Sequence, residues 1–343
     1  MSDDEIDFRA MPKIELHAHL SGSISRECLH EIWTRKKQAG QTDLEDPLVV
    51  MPVGKHDFDL ETFFPLFSSY IYRLVNDIQS LRYSTQRVVE DFAKDGVVYL
   101  ELRTTPRAML GAGLEKAGYV EEILDAIAMA QESSKTIRVR LILSIDRRNN
   151  AEEAHEVVSL AQKFRDRGVV GVDLCGDPTK GDVALFRTAF KQAKDAGLSI
   201  TVHFAEAEQS ASERELDEIL SWEPQRLGHV IHVPERIKRE IGERGVGLEL
   251  CLSCNVLAGM LRGGGFEEHH FGEWWDGGGM AVVVPCTDDV GVFGSPLSNE
   301  WALIRKHFGL SKAEIFGLAR KGIDVIFGGE EEKERLRRIM WTA

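Results

Sequence analysis

The stretch KIELHAHLSGS, residues 13–23, places His17 and His19 two apart in a strand-type run that breaks at Ser21-Gly22. Alternate residues of a strand face the same way, so both imidazoles reach one spot, as two ligands of one metal do. Groups of the same chemistry stand late in other apolar runs: His203 and Glu206 in SITVHFAE, His229 in RLGHVIHV, and Asp288 and Asp289 in MAVVVPCTDD. Taken singly, each has a bland reading. A lone histidine in an apolar run is a satisfied core residue, and a terminal Asp or Glu is a helix cap or turn residue. Joint placement in several runs favours a site. Three neutral imidazoles and one carboxylate suit Zn²⁺. The expected ligand set is His17, His19, His203 and Asp288, with water as a further ligand. A second metal would need a bridging group, such as a carboxylated lysine near VDLCGDP, and that stretch has none. One zinc per chain is therefore expected, lowering the pKa of its water to about 7. Glu206, kept protonated by burial, is the expected proton donor. His229 is expected to hydrogen-bond the attacking water, with His232 a spectator, and Asp289 to meet a heteroatom of the substrate.

These residues need a frame that brings distant segments to one face. Eight β-rich runs supply it, at 13–20, 97–106, 138–146, 169–176, 199–206, 226–233, 245–253 and 280–289. Most are continuous in Val, Ile and Leu, as strands buried on both faces are. Helical stretches alternate with them, at 119–132, 151–167, 184–196 and 235–244. The pattern predicts an α/β fold, a (β/α)₈ barrel of TIM type in one domain over 1–343, whose chemistry sits at the C-terminal strand ends. An open doubly wound sheet lacks support, since no G-x-G-x-x-G follows the first run. The Gly-rich stretches GGGF (263–266) and GGGM (277–280) lack the phosphate-loop pattern and read as turns. The segment 21–96 is too long for an ordinary connection. It reads as a helical lid insertion, with helices near 25–38, 60–76 and 80–95, and closing helices fill about 297–343.

Composition narrows the function class. The formal net charge is −14, a poor match for a nucleic acid polymer or an anionic membrane surface. No run of 18 apolar residues predicts a membrane span, and the acidic start MSDDEIDFRA lacks a signal-peptide pattern, so a cytoplasmic monomer is expected. Five cysteines form no disulfide framework, and Cys251 and Cys254 in CLSC lack the second pair of a structural zinc site.

The motifs ELHAHLSGS, HFAEA, RLGHV and CTDD, in this order, resemble the adenosine/AMP deaminase family of amidohydrolase-type barrels over about residues 11–327. The resemblance implies hydrolytic release of the 6-amino group of a purine. It implies the same zinc ligands, Glu206 as proton shuttle to purine N1, and His229 orienting the attacking hydroxide. It adds Gly176 as a backbone donor to N3 and Asp289 as the partner of N7. Adenosine deaminases carry Asp, and fungal adenine deaminases Glu, where this chain has Ser21. A carboxylate there would oppose a 5′-phosphate by about 4 kcal/mol for unit charges 4 Å apart at an effective dielectric near 20. The segments LELRTTPR, SIDRR, DLCGDPTKG and EHHFGEWW resemble the adenosine deaminase-like branch, whose members deaminate N6-methyl-AMP. By that resemblance His19, Ser21, Thr104, Thr105, Pro106, Arg107 and Asp146 line the nucleotide, and Tyr72 falls where the branch has a His near the phosphate. The competing reading of RTTPR is a turn with Arg107 ion-paired. That of EHHFGEWW is aromatic packing under a loop, with His269 and His270 not ligands. The rival functions are adenosine or adenine deamination, or a catalytically silent barrel that binds purine nucleotide.

Overall fold

Strands β1 (Lys13–His19), β2 (Val97–Thr104), β3 (Arg138–Asp146), β4 (Val169–Cys175), β5 (Ser199–Phe204), β6 (Arg226–His229), β7 (Gly247–Leu250) and β8 (Val282–Pro285) form one parallel sheet in sequence order. This computed structural model describes residues 5–52, 54, 60–261, 263–276 and 281–342. A single bridge, Ala18 to Asp288, joins β1 to the chain after β8. There His19 N–H donates to the Asp288 carbonyl at 3.0 Å, and Asp288 N–H donates to the His17 carbonyl at 2.8 Å. The expected (β/α)₈ architecture is the one observed. The residue that completes the barrel wall is itself one of the predicted site residues.

The strands form because their apolar side chains are covered on both faces, by barrel interior and by outer helices. The helix Ile78–Lys94 buries Leu81, Thr85, Val88, Val89 and Phe92, the spacing of one helical face. The helix Ala151–Lys163 opens with a capping box: Glu153 N–H donates to Asn150 Oδ1 and Asn150 N–H to Glu153 Oε2, both at 2.9 Å. Between β1 and β2 lie the helices Arg26–Gln38, Pro47–Val50, Leu60–Leu66, Tyr72–Leu74 and Ile78–Lys94. After β8 come Val290–Phe293, Leu297–Phe308, Lys312–Lys321 and Glu330–Ile339. No described helix is long and apolar enough to cross a membrane.

Two expectations need adjustment. The continuous helix near 60–76 is divided: a wider π turn, Phe67–Ile71, separates Leu60–Leu66 from Tyr72–Leu74. Pro65 lies inside the first piece, where it donates no hydrogen bond and its ring crowds the preceding turn. The last three strands also stop earlier than their apolar runs. His229, Val230 and Asp288 have φ of 64°, 50° and 61°, left-handed conformations that turn the chain out of the strand path. Of the two Gly-rich stretches, the first, 263–266, leads into a short 3₁₀ turn, Phe266–Glu268, whereas 277–280 lies outside the described residues.

Below the strand ends the barrel interior is charged. Arg226 donates to Glu249 Oε1 and Glu101 Oε2, each at 2.6 Å, and to the Val325 carbonyl at 2.9 Å. Arg103 donates to Glu249 Oε2 and to the Leu16 carbonyl, each at 2.7 Å, and stands 3.3 Å from Asp173 Oδ1. All five charged side chains are fully buried. Burial of charge is tolerable only when it is paired, and removing one member would strand the rest.

Candidate active site

The C-terminal strand ends bring His17, His19, His203, His229 and Asp288 together. Ligand atoms of His17, His203, His229 and Asp288 lie within 4.8 Å of one another. His19 joins them, its Nε2 at 3.0 Å from His203 Nε2 and 3.3 Å from Asp288 Oδ1. His17 and His203 are braced from behind. His17 Nδ1 meets Glu249 Oε2 at 2.7 Å, and His203 Nδ1 meets Asp173 Oδ1 at 3.1 Å. A proton held on each Nδ1 leaves Nε2 with a lone pair turned into the cluster. His17 Nε2 is buried, lacks a hydrogen-bond partner and lies 3.4 Å from Asp288 Oδ1. Burial, with neighbouring imidazoles adding, holds His19 well below its ordinary pKa and therefore neutral. Burial would push Asp288 up, but His17, His229 and His19 outweigh it and keep it a carboxylate. Convergent imidazoles and one carboxylate, with an orphaned ring nitrogen, fit a divalent ion of zinc type.

Two further acids face this cluster. β5 ends at Phe204, and Ala205, at φ 50°, turns the chain so that Glu206 points inward. Burial, with Asp288 and Asp173 adding, pushes Glu206 up to about 7. Its Oε1 lies 3.8 Å from His229 Nε2. Asp289 is pushed well above the carboxylate range by burial and then by Asp288 and Glu206, so it is a neutral acid able to donate. Its Oδ1 has no protein partner, and a Cβ on Gly22 would stand 1.5 Å away, so a side chain at residue 22 would displace it.

The cluster forms the floor of a cavity of about 810 Å³. Of the residues predicted to line a ligand, His19, Ser21, Tyr72, Thr104, Thr105, Asp146, Gly176 and Asp289 do line it. Pro106 and Arg107 do not. Arg107 lies behind Tyr72, its guanidinium 4.6 Å from that ring, and donates to the Val75 carbonyl at 2.7 Å. The Tyr72 hydroxyl stands beside the Ser21 side chain. Gly176, at φ 97°, backs onto Asp146, whose carboxylate would be 2.8 Å from an added Cβ. Phe63, Phe64, Pro65 and Phe67 add an apolar wall from the insertion after β1.

Sequence reading missed several positioning groups. Arg103, Asp173 and Glu249 were signalled only by charge inside the apolar runs of β2, β4 and β7. Arg148 and Lys180 also line the cavity. Arg148 grips Asp146 at 2.6 and 2.8 Å, whereas Lys180 forms no ion pair among the described residues. Asn255 and His269, behind His229, carry no sequence signal of that role. His232 Nε2 meets the Met260 carbonyl at 3.1 Å.

The family model described as Adenosine deaminase matches residues 12–342. The N6-mAMP deaminase of Arabidopsis thaliana is 36% identical over 356 residues, covering 98% of either chain. The N6-Methyl-AMP deaminase of Danio rerio is 35% identical over 347 residues, covering 98% of this chain and 97% of that one. The crystal structure of arabidopsis ADAL complexed with IMP superposes with a TM-score of 0.89 at 37% identity, covering 97% of each chain.

Proposed function

We propose, from the premise that this chain belongs to the adenosine deaminase family, that it hydrolyses N6-substituted purine nucleoside 5′-monophosphates. On this reading N6-methyl-AMP and water give IMP and methylamine. The deaminase class follows from the family. The substrate rests on one observation: the cavity wall at Ser21 is a neutral hydroxyl, beside the Tyr72 hydroxyl, where a carboxylate would repel a phosphate. The Lys180 ammonium, without an ion pair among the described residues, lines the same cavity and supports it. So do the substrates in the names of the relatives, and the IMP bound by one of them.

We assign His17, His19, His203 and Asp288 as ligands of one Zn²⁺. When bound, such an ion supplies Lewis-acid activation of water at neutral pH. The chain's own groups supply the rest. Glu206, protonated over much of the neutral range, gives its proton to purine N1 as water adds to C6. His229 donates to the incoming oxygen and stabilises its charge, while the Asp288 carboxylate accepts a hydrogen bond from the incoming water. Neutral Asp289 donates to N7, and the Gly176 N–H donates to N3. As the tetrahedral C6 collapses, the added water gives one proton to the departing methylamine nitrogen and the other back to Glu206, the C6–N6 bond breaks and the 6-oxo purine is left. The helical insertion after β1 acts as the lid, its phenylalanines excluding water from the cavity and strengthening these charge interactions.

A panel of adenosine, adenine, AMP and N6-methyl-AMP at equal concentration tests the proposal, with kcat/KM as the readout. We expect N6-methyl-AMP to lead and both monophosphates to exceed adenosine. Faster turnover of adenosine than of either monophosphate rejects the substrate assignment. Ser21→Asp is expected to lower kcat/KM for the monophosphates by on the order of 100-fold, part of the about 4 kcal/mol unscreened repulsion. Adenosine should be affected far less.

A further inference from the structure

The cluster contains one imidazole more than a three-histidine site needs, and hydrogen bonds behind it decide which ring stands apart. Phe271 N–H donates to His269 Nδ1 at 3.0 Å. A backbone N–H can only donate, so that ring nitrogen bears a lone pair and the proton of His269 is on Nε2. His269 is 2% exposed and stacks on His270, with centroids 4.2 Å apart. Its Nε2 lies 3.2 Å from Asn255 Oδ1, and the amide nitrogen of Asn255 lies 3.0 Å from His229 Nδ1. The opposite amide orientation would set the Asn255 NH₂ against the His269 N–H, two donors face to face. The backbone donor thus fixes an amide orientation that is ordinarily ambiguous. His229 Nδ1 must then accept, and neither an imidazolium nor an Nδ1–H ring fits beside the Asn255 NH₂. The proton of His229 is left on Nε2, which is buried without a protein partner. That nitrogen stands 3.8 Å from Glu206 Oε1 and 3.9 Å from Asp288 Oδ2. The ring is held in place by its own carbonyl, 2.6 Å from His270 Nε2.

We infer that Asn255 and His269 are positioning residues that lock His229 in its Nε2–H tautomer, making it a fixed hydrogen-bond donor in the site and not a metal ligand. The third ligating imidazole is then His19, although His229 lies within ligand range of His17, His203 and Asp288. What the donor serves, the incoming oxygen at C6, rests on the reaction proposed above. The tautomer itself does not.

Holoenzyme labelled with [¹⁵N]histidine tests it, since long-range ¹H–¹⁵N spectra separate protonated from bare ring nitrogens. The His229 signals are assigned by their loss in H229Q. The wild type is expected to show Nε2 protonated and Nδ1 bare. In N255D the carboxylate can only accept, so the proton moves to Nδ1. There kcat should fall about 100-fold or more, with KM within about threefold, as when a catalytic imidazole is held in the wrong tautomer. H269L frees the Asn255 amide to turn. It should give mixed His229 tautomers and lose kcat about 10-fold, and H269Q, which keeps an amide donor, should recover most of that loss. A bare or metal-bound His229 Nε2 in the wild type overturns the inference. So does an unchanged Nε2–H signal in N255D, or, if N255D does not fold, in H269L. The expected tautomer with a failed substrate panel would remove the proposed substrate and leave the lock standing.

Discussion

Glu206 must be an acid at the pH where the site works, and its surroundings arrange this. Burial against Asp288 and Asp173 raises it to about 7, so the protonated form required for donation is full below that value and lost above it. We expect kcat/KM for N6-methyl-AMP to fall tenfold per pH unit above about 7. Glu206→Gln keeps the shape and the hydrogen-bonding nitrogen but has no acidic proton, and should lower kcat by about 10²–10⁴ with KM little changed. Methylamine release measured at several pH values checks both. A variant that keeps a tenth of wild-type kcat would show that another group delivers the proton. At this scale the sequence was readable because each acting residue is polar in an apolar run: His17 and His19 in β1, His203 in β5, Asp288 after β8. Asn255 and His269 escaped it. Their role lies in bonds to His229 from 26 residues ahead of the one and between the other and Asn255, 14 residues apart, and nothing about either residue type announces such partners.

Elements carry the site through their ends. The strand runs were legible from Val, Ile and Leu content, but where they stop was not, because the left-handed turns at His229 and Asp288 are made by residues that do not advertise them. The π turn at Phe67–Ile71 likewise has only Pro65 as its signal. A comparable hidden joint connects the helices Leu297–Phe308 and Leu252–Leu257. Glu300 from the first accepts from Ser253 N–H at 3.0 Å at the start of the second, and from the Ser295 hydroxyl. Since Asn255 belongs to that second helix, Glu300 supports the element that orients His229. Burial raises Glu300 to about 7, against these hydrogen bonds, from an ordinary 4.5. The folded state therefore holds this proton where the unfolded chain releases it. Its contribution to stability is full below about 4.5, falls as pH rises toward about 7 and is flat beyond, a loss of about 3 kcal/mol. Urea unfolding at pH 5 and pH 8 should show a larger loss in the wild type than in Glu300→Gln by about that amount. Glu15 and Glu206 titrate in both proteins and cancel in the difference. Equal pH dependence in the two proteins would mean that Glu300 is ionised in the fold at neutral pH.

The whole barrel is joined at its weakest place by the proposed metal ligands. Each neighbouring pair from β1–β2 to β7–β8 shares at least two paired positions, whereas β1 meets the chain after β8 only at Ala18 and Asp288. The seam is stapled by Glu15, which accepts from His17 N–H at 2.8 Å and Thr287 N–H at 3.0 Å. Across the interior, Arg226 ties β6 to Glu101 of β2, Glu249 of β7 and the carbonyl of Val325, so the lower barrel holds without an ion. An ion bound by His17 and His19 on one side and Asp288 on the other would add a cross-link at the seam itself. Its removal should be felt there first. Chelation should lower Tm, by an amount equivalent to about 4 kcal/mol where free ion had stood at 1,000 times its Kd. Amide exchange should rise in peptides spanning 13–20 and 284–292 while 138–146 in β3 stays protected, because β3 is paired along its length on both sides. Uniform deprotection would mean that the ion stabilises the fold as a whole. Unchanged exchange at 13–20 and 284–292 after the metal is shown to be gone would place the ion away from β1 and Asp288, and the chemistry proposed here would lose its centre.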